Sequence, residues 1–384
     1  MLNRRTLLSR AALVGSAFIV APRMVLAAAA TERRFVFIIQ RGAADGLATI
    51  IPTGDPALPQ LRGALLAEGG AKLDGMFTAH PALEGISQLY AQREALFAHA
   101  VASPYRDRSH FDAQNVLETG GTAPYQRSDG WLNRLLALLP RDQSQAIALA
   151  ATIPAALRGK VAVTSYAPSG LPDAHDDLKS RVAMLYDEDQ ELHALWQSAL
   201  AAQAMAGESA QAGARRDPQA LGALAAKMLS GPGAARVAMI ETQGWDTHFA
   251  QVPRLNNELK ALDALILALQ SGLGENWKQT LVLVATEFGR TAAANGTGGT
   301  DHGTASVAML IGGAVQGGRV VADWPGLGTT ELYQGRDLQP TLALDQLIAS
   351  ALAGHYALEP ALVGAALFPG VPMIQPAITG LIRT

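Results

Sequence analysis

The 384-residue sequence has no cysteine. Disulfides, thiol nucleophiles, iron–sulfur clusters and thiolate-bound zinc are therefore excluded, and any metal must be held by histidine, carboxylate or carbonyl oxygen. Charge is also scarce, at 16% of residues with a formal net charge of −3. A chain without a basic excess cannot neutralise a row of phosphates, which argues against a nucleic-acid partner. Beyond residue 27 no apolar run reaches the ~20 residues that a membrane span needs. What is abundant is apolar side chain, 49% of the sequence, which excludes a disordered or coiled-coil protein and supplies a continuous core.

The first 27 residues read differently from the rest. Asn3-Arg4-Arg5-Thr6-Leu7-Leu8 is basic, an apolar stretch runs from Ala11 to Val20, and Val25-Leu26-Ala27 offers small-residue cleavage geometry. The paired arginines resemble a twin-arginine export signal, with Asn3 and Leu7 standing where the commonest pattern has Ser and Phe. The apolar stretch is too short to span a bilayer and is flanked by Arg10 and Arg23, so a removable signal is expected rather than an anchor. Its removal takes away Arg4, Arg5, Arg10 and Arg23 and moves the formal charge from −3 to −7. The expectation is a precursor that engages the twin-arginine export machinery, and a soluble periplasmic or otherwise exported protein of residues 28–384.

From there the chain alternates β-rich runs with helical patterns, which predicts an α/β fold with a largely parallel central sheet and helices on both faces. Strands are expected at Phe35 to Gln40, Leu96 to Ala102, Val161 to Ser165, Val237 to Ile240, Thr280 to Thr286 and Ser306 to Ile311. Helices are expected at Pro81 to Arg93, Phe111 to Thr119, Trp131 to Leu139, Pro253 to Gln270 and Thr341 to Ala353. Residues 171–233 break the rhythm with an Ala-, Gln- and charge-rich stretch that reads as a helical insertion ending at Ser230-Gly231-Pro232-Gly233.

Ligands of open parallel sheets sit beyond the carboxyl ends of the strands, and four polar clusters fall there. Arg41-Gly42-Ala43-Ala44-Asp45-Gly46 follows the first strand; a structural reading makes Asp45 a helix cap. Arg106-Asp107-Arg108-Ser109-His110 follows the second, where Ser109 and Asp112 fit a capping box but His110 and two arginines exceed what a cap requires. Asp246-Thr247-His248 follows the fourth, close enough to share one metal or one hydrogen-bond network. Glu287-Phe288-Gly289-Arg290 and Asp301-His302 bracket a glycine-rich loop that a plain linker would not furnish with acid, base and imidazole. His80, His99 and His355 sit in settings that suit structural histidines, and His175 and His193 fall in the helical insertion, where solvated side chains are expected.

RGAADG, RSHFDAQNVLETG, GWLNRLL, ETQGWDTH, TEFGRT, GGTDHG and Ala322-Asp323-Trp324-Pro325-Gly326-Leu327 together resemble the exported bacterial family DUF1501, over almost the whole chain after the leader. That resemblance implies an alkaline phosphatase/sulfatase-like fold. The superfamily's order of site elements then maps onto Asp45-Gly46, Ser109 or His110, Asp246 with His248, Glu287-Phe288, and His302. The implied cofactor is a divalent ion, zinc, calcium, magnesium or manganese, and the implied partner an anionic small molecule or polysaccharide ester. Two spacings depart from the superfamily: Asp246 and His248 are too close for its Asp-x-x-x-His, and Phe288 stands in place of a metal-binding histidine. The expectation is a metal-dependent hydrolase of phosphate or sulfate esters, with a non-catalytic exported anion- or carbohydrate-binding protein as the alternative. Asp45, Asp246, His248, Glu287, Asp301 and His302 are the metal candidates. Ser109, His110, Arg106, Arg108 and Arg290 are the catalytic candidates, with Ser109 as nucleophile and the arginines as anion clamps.

Overall fold

Strand β1 (Arg34–Gln40) is buried along its whole length, and its alternation shows why. Phe35, Phe37 and Ile39 enter one core cluster, while Val36 and Ile38 enter another on the opposite face. A strand with apolar residues at both parities has no solvent face, so it must lie in the middle of a sheet covered on both sides. The computed structural model, which describes residues 32–140, 145–167, 176–186, 189–206, 217–231, 233–372 and 378–383, places it there. Residues 1–27, read as an export signal, and His175 lie outside the described residues.

The other strands are β2 (Ile50–Ile51), β3 (Thr78–Ala79), β4 (Ala95–Ala102), β5 (Ala146–Leu149), β6 (Thr164–Ser165), β7 (Val237–Thr242), β8 (Thr280–Thr286), β9 (Ser306–Ile311), β10 (Arg319–Val321) and β11 (Leu342–Ala343). Apart from the small β2–β3 pair they form one sheet in the order β10-β4-β9-β8-β1-β7-β5-β6, with β11 also pairing β4. β9 is antiparallel to both its neighbours, β4 and β8, and every other pairing in the sheet is parallel. The expected mixed α/β class with a largely parallel sheet is thus observed.

The helices are α1 (Gly46–Thr49), α2 (Leu58–Arg62), α3 (Glu84–Ala91), α4 (His110–Thr119), α5 (Trp131–Leu138), α6 (Asp176–Tyr186), α7 (Gln190–Ala206), α8 (Pro218–Met228), α9 (Gln251–Leu273), α10 (Leu344–Tyr356) and α11 (Pro360–Leu367). α3, α8 and α9 cover the face of Val36 and Ile38; α5, α10 and α11 cover the face of Phe35 and Phe37. Burying each of these large apolar side chains contributes roughly 1.5–3 kcal/mol, so the two clusters hold the sheet rigidly between layers. α8 packs closely on α9: a Cβ at Gly272 would stand 2.6 Å from Ala226, so the contact is set by small residues. In the stretch read as an insertion, the described residues are α6, α7, α8 and short connections, with no strand among them. Among the described residues no helix is long and apolar enough to cross a membrane.

Candidate metal centre

All sheet strands except β9 point the same way, so the loops after β1, β4, β7 and β8 open at one edge. Because β9 runs in the opposite sense, the loop that enters it starts at that same edge. Backbone bonds then close the segment on itself: Gly289 N–H donates to Thr304 O (2.9 Å), Gly303 N–H to Gly289 O (2.8 Å), and Thr291 N–H to Asp301 O (2.9 Å). This brings His302 beside Arg290. Gly42 serves the neighbouring loop; its φ of +120° suits glycine, and a Cβ there would come within 2.6 Å of the Asp246 backbone nitrogen.

Three histidines and one carboxylate meet at this edge. His110 Nε2 lies 2.9 Å from His302 Nε2, and His248 Nε2 lies 2.9 Å from the same atom. Oxygens of Asp246 stand 3.7 Å from His110 Nε2, 3.4 Å from His302 Nε2 and 3.0 Å from His248 Nε2. The ligand atoms of His110, Asp246 and His302 all fall within 4.8 Å of one another, and His248 joins through His302 and Asp246. A tetrahedral zinc site with arms of about 2.0–2.1 Å has edges of about 3.3–3.4 Å; His110 and His302 are 2.9 Å apart, and Asp246 reaches His302 with Oδ1 at 3.4 Å and His110 with Oδ2 at 3.7 Å, so the donor spacings are on the scale of one ion's ligands.

The hydrogen bonds behind the rings fix which nitrogen faces inward. His302 Nδ1 lies 3.1 Å from the Arg108 carbonyl, which can only accept, so Nδ1 carries the proton. His110 Nδ1 lies 2.8 Å from Glu287 Oε1 and His248 Nδ1 lies 3.2 Å from Asp301 Oδ1. Burial opposes ionisation of Glu287, but hydrogen bonds from His110 and Gln114 hold its carboxyl below the usual range. The hydrogen bond from Asn295 does the same for Asp301. With Nδ1 of each ring turned to an acceptor behind it, the three Nε2 atoms and the Asp246 carboxylate are gathered at one place, where they could hold a cation.

Surrounding charges hold this arrangement. Burial raises the Asp246 carboxyl, and the Arg290 hydrogen bond (2.6 Å) and charge more than reverse it, leaving Asp246 below the ordinary range. Burial lowers His302, and the neighbouring His110 lowers it further, which favours the neutral, ligating form.

Several residues expected in the site act elsewhere. Asp45 is not a metal ligand: it is 1% exposed, its Oδ2 pairs with Arg62 at 2.5 Å and accepts from Gln251 at 2.6 Å, and its Oδ1 accepts from Arg62 (3.2 Å) and the Ala48 amide (3.3 Å). Both oxygens are used, and the capping reading of Asp45 describes it. Glu287 and Asp301 orient histidines from behind and do not face the centre themselves. Arg290 is buried and spent on Asp246 and on Thr300, so it cannot clamp an anion. Arg108 pairs with the buried Asp337 (2.6 Å), and Arg106 donates to the carbonyls of Ser103 and Tyr105, so neither is free to act as a clamp. Ser109 occupies the N-cap of α4 without a side-chain capping bond. His110, expected among the catalytic groups, stands in the candidate ligand set. Phe288 stacks on the His110 ring, with centroids 5.0 Å apart, and packs the site from below.

A family described as "Protein of unknown function (DUF1501)" matches residues 92–365. The chain belongs to the DUF1501 family. The matched region contains His110, Asp246, His248, Glu287, Asp301 and His302, whereas Asp45 lies outside it. No curated protein matches. Among solved structures, this DUF1501 protein is similar to Ps i-CgsB in complex with k-i-k-neocarrahexaose, at 11% identity and a TM-score of 0.40, over 86% of this chain and 73% of that one. It is similar to the C-terminal periplasmic domain of EcEptC from Escherichia coli in complex with Zn, at 8% identity and a TM-score of 0.37, over 73% of each chain. It is also similar to the phosphonate monoester hydrolase of Agrobacterium radiobacter, at 11% identity and a TM-score of 0.31, over 75% of this chain and 70% of that one.

Sequence reasoning passed over several supports of the DUF1501 site. Gln114, one helical turn after His110, donates to Glu287 (2.9 Å) and accepts from Arg41 (2.8 Å). Its i+4 spacing from His110 was a readable signal. Asn295 donates to Asp301 (3.2 Å) and to the His248 carbonyl (2.8 Å). Arg62 and Asp337 carried no local signal, because each acts through a partner distant in sequence.

Proposed function

We propose that this protein is an exported, metal-dependent hydrolase of phosphate or sulfate esters. The observation that carries the reading is the convergence of His110, His248 and His302 Nε2 atoms with Asp246, each imidazole fixed from behind, at a place where all four side chains are partly exposed. A buried structural site would be closed to substrate; this one is open to solvent. Imidazole-rich donors suit zinc or another late transition ion, and not calcium or magnesium, which favour all-oxygen sets. A bound ion would supply Lewis-acid polarisation of the ester and positive charge for its anionic group.

The chain's own groups do the rest. Glu287 and Asp301 hold the Nδ1 protons of His110 and His248, and Arg290 keeps Asp246 ionised. α4 begins at His110, and Ala113 is its first amide bonded within the helix, so the amides of residues 110–112 present the positive end of the helix beside the centre. That end favours an anion, in place of the arginine clamps that the sequence suggested. Ser109, one residue before His110 and free of the capping role, is the nucleophile of this reading.

The test is hydrolysis of aryl phosphate and aryl sulfate by protein purified without chelator and loaded with zinc, compared with Ser109→Ala. Turnover that Ser109→Ala abolishes, with metal content unchanged, is the expected result. Metal-loaded protein that hydrolyses neither ester with any divalent ion overturns the proposal and leaves a non-catalytic binding protein.

A further inference from the structure

Arg108 is held in a conformation that its residue type avoids. Its φ is +61°, in the left-handed region, where a Cβ crowds the following carbonyl oxygen. Asn and Asp offset that crowding with a short polar group that bonds locally, and arginine has none. Strain of this kind persists only where the surroundings enforce it. The carbonyl of the strained residue is the group that meets His302 Nδ1 at 3.1 Å. Rotating Arg108 out of the left-handed region would carry that carbonyl away from the ring.

The enforcing group is Asp337, 229 residues further along the chain. Its side chain is fully buried, and its Oδ2 accepts from Arg108 Nε (2.8 Å) and Thr304 Oγ1 (2.8 Å) and pairs with Arg108 Nη2 (2.6 Å). Gln334 Oε1 takes the same Nη2 at 2.8 Å, so the guanidinium is tied to one loop by two side chains. That loop is closed on itself: Tyr333 N–H donates to Asp337 O (2.8 Å) and Asp337 N–H to Tyr333 O (3.0 Å). Arg336, between them, donates from Nη2 to the backbone carbonyl of His302 (2.6 Å). The loop therefore grips His302 twice, directly at its backbone and, through Arg108, at its ring.

We infer that Asp337 is a positioning residue of the metal centre, a role that rests on the metal-dependent reading above. By holding the Arg108 side chain it keeps the Arg108 backbone left-handed. The carbonyl so placed keeps the proton of His302 on Nδ1 and leaves Nε2 as the ligand atom. Asp337 acts through geometry and not through its charge, because the Arg108 guanidinium neutralises it. One consequence separates this role from general support of the fold: what matters at position 108 is access to positive φ. Glycine reaches that region without steric cost and alanine does not.

The experiment compares the native chain with two double variants, Asp337→Asn with Arg108→Ala and Asp337→Asn with Arg108→Gly. Neither leaves a buried carboxylate unpaired, and the two carry the same charge. Nitrogen-15 NMR of the histidine rings in metal-free protein, above the pH range in which imidazole titrates, reads the tautomer; the His302 signal is assigned by its loss in His302→Ala. Competition with a chromogenic chelator reads zinc affinity. Native His302 should carry its proton on Nδ1. The alanine version should lose that preference and bind zinc about tenfold more weakly, the low end for groups behind a ligand, with circular dichroism unchanged. The glycine version should keep the Nδ1 proton and bind zinc about fivefold more tightly than the alanine version. A native His302 protonated on Nε2, or alanine and glycine versions alike in tautomer and zinc affinity, overturns the inference. A native chain that binds no zinc, yet shows the Nδ1 proton kept with glycine and lost with alanine, overturns the metal-dependent reading while the positioning of His302 by Asp337 stands.

Discussion

Replacing Glu287 by Gln isolates the contribution of the carboxylate behind His110. The Glu287 side chain is fully buried, and its Oε1 accepts from His110 Nδ1 (2.8 Å), Gln114 Nε2 (2.9 Å) and the Gly42 amide (2.9 Å), while Oε2 faces Thr286 Oγ1 (3.0 Å). Gln keeps an oxygen for the three donors on Oε1, and its amide group can donate to Thr286 once that hydroxyl turns. What is lost is the negative charge that makes His110 a stronger ligand. Changes of this kind behind a ligand weaken metal binding by roughly 10–100-fold; retention of the acceptor puts Glu287→Gln at the low end, about tenfold or ~1.4 kcal/mol. Asp301→Asn is the contrast. Asp301 is 56% exposed and 3.2 Å from His248, so solvent screens its charge and the expected loss is under about threefold. Competition for zinc against a chromogenic chelator, at fixed pH and salt, reads both. Glu287→Gln binding zinc as tightly as the native protein, or Asp301→Asn weakening it more than Glu287→Gln, would refute the assignment of the buried carboxylate as the principal support.

Asp45→Asn should leave zinc affinity within about threefold of native, because Asp45 holds Arg62 and not the ion, yet it strips a buried guanidinium of its partner and should cost about 3–5 kcal/mol in a denaturant titration. Asp345, at the start of α10, is pushed up to about 7 by burial, partly offset by Arg106, from an ordinary value of 3.8. The folded state then keeps a proton that the unfolded state releases, so stability should fall as pH rises from about 4 to about 7, by on the order of 4 kcal/mol. Asp345→Asn should remove that slope in pH-dependent melting. Replacing Arg4 and Arg5 by Lys should hold the precursor in the cytoplasm; export undiminished by that change would refute a twin-arginine signal.

The strands β1, β4, β7, β8 and β9, each six to eight residues long, were legible within a residue or two. β5 was not, because Ala-Ile-Ala-Leu carries little strand preference and gains its place only by pairing with β7. The expected strand from Val161 shrinks to Thr164–Ser165, since Asn133 takes both the Val161 amide (3.1 Å) and its carbonyl (2.8 Å). The last long helix starts at Leu344 and not at Thr341, because Leu342 and Ala343 are used as β11 against β4. His99 shows the core role read for it: it is fully buried, bonds the Ile50 carbonyl at 2.9 Å, and is lowered to about 4 by burial.

For the site, location was legible and role was not. The sheet rule put the clusters of His110, Asp246, His248 and His302 at one edge, where the structure gathers them. Whether a polar side chain faces the centre or stands behind it depends on partners that are remote in sequence. Asp45 meets Arg62, Arg108 meets Asp337, and Arg290 is spent on Asp246 and Thr300, so groups that read as ligand and clamps are structural ion pairs. His110 read as a catalytic group because its one visible context was a helix start beside Ser109; its partners Glu287 and His302 lie 177 and 192 residues away.

The metal centre itself is tested most directly by elemental analysis of the protein purified without chelator and then dialysed against zinc, together with His302→Ala and the His110→Ala, His302→Ala double variant. The arrangement of His110, His248, His302 and Asp246 predicts about one zinc per native chain, weakened binding in His302→Ala and none in the double variant, with the fold retained by circular dichroism. A native chain that stays metal-free, or a double variant that binds zinc as the native protein does, would contradict it.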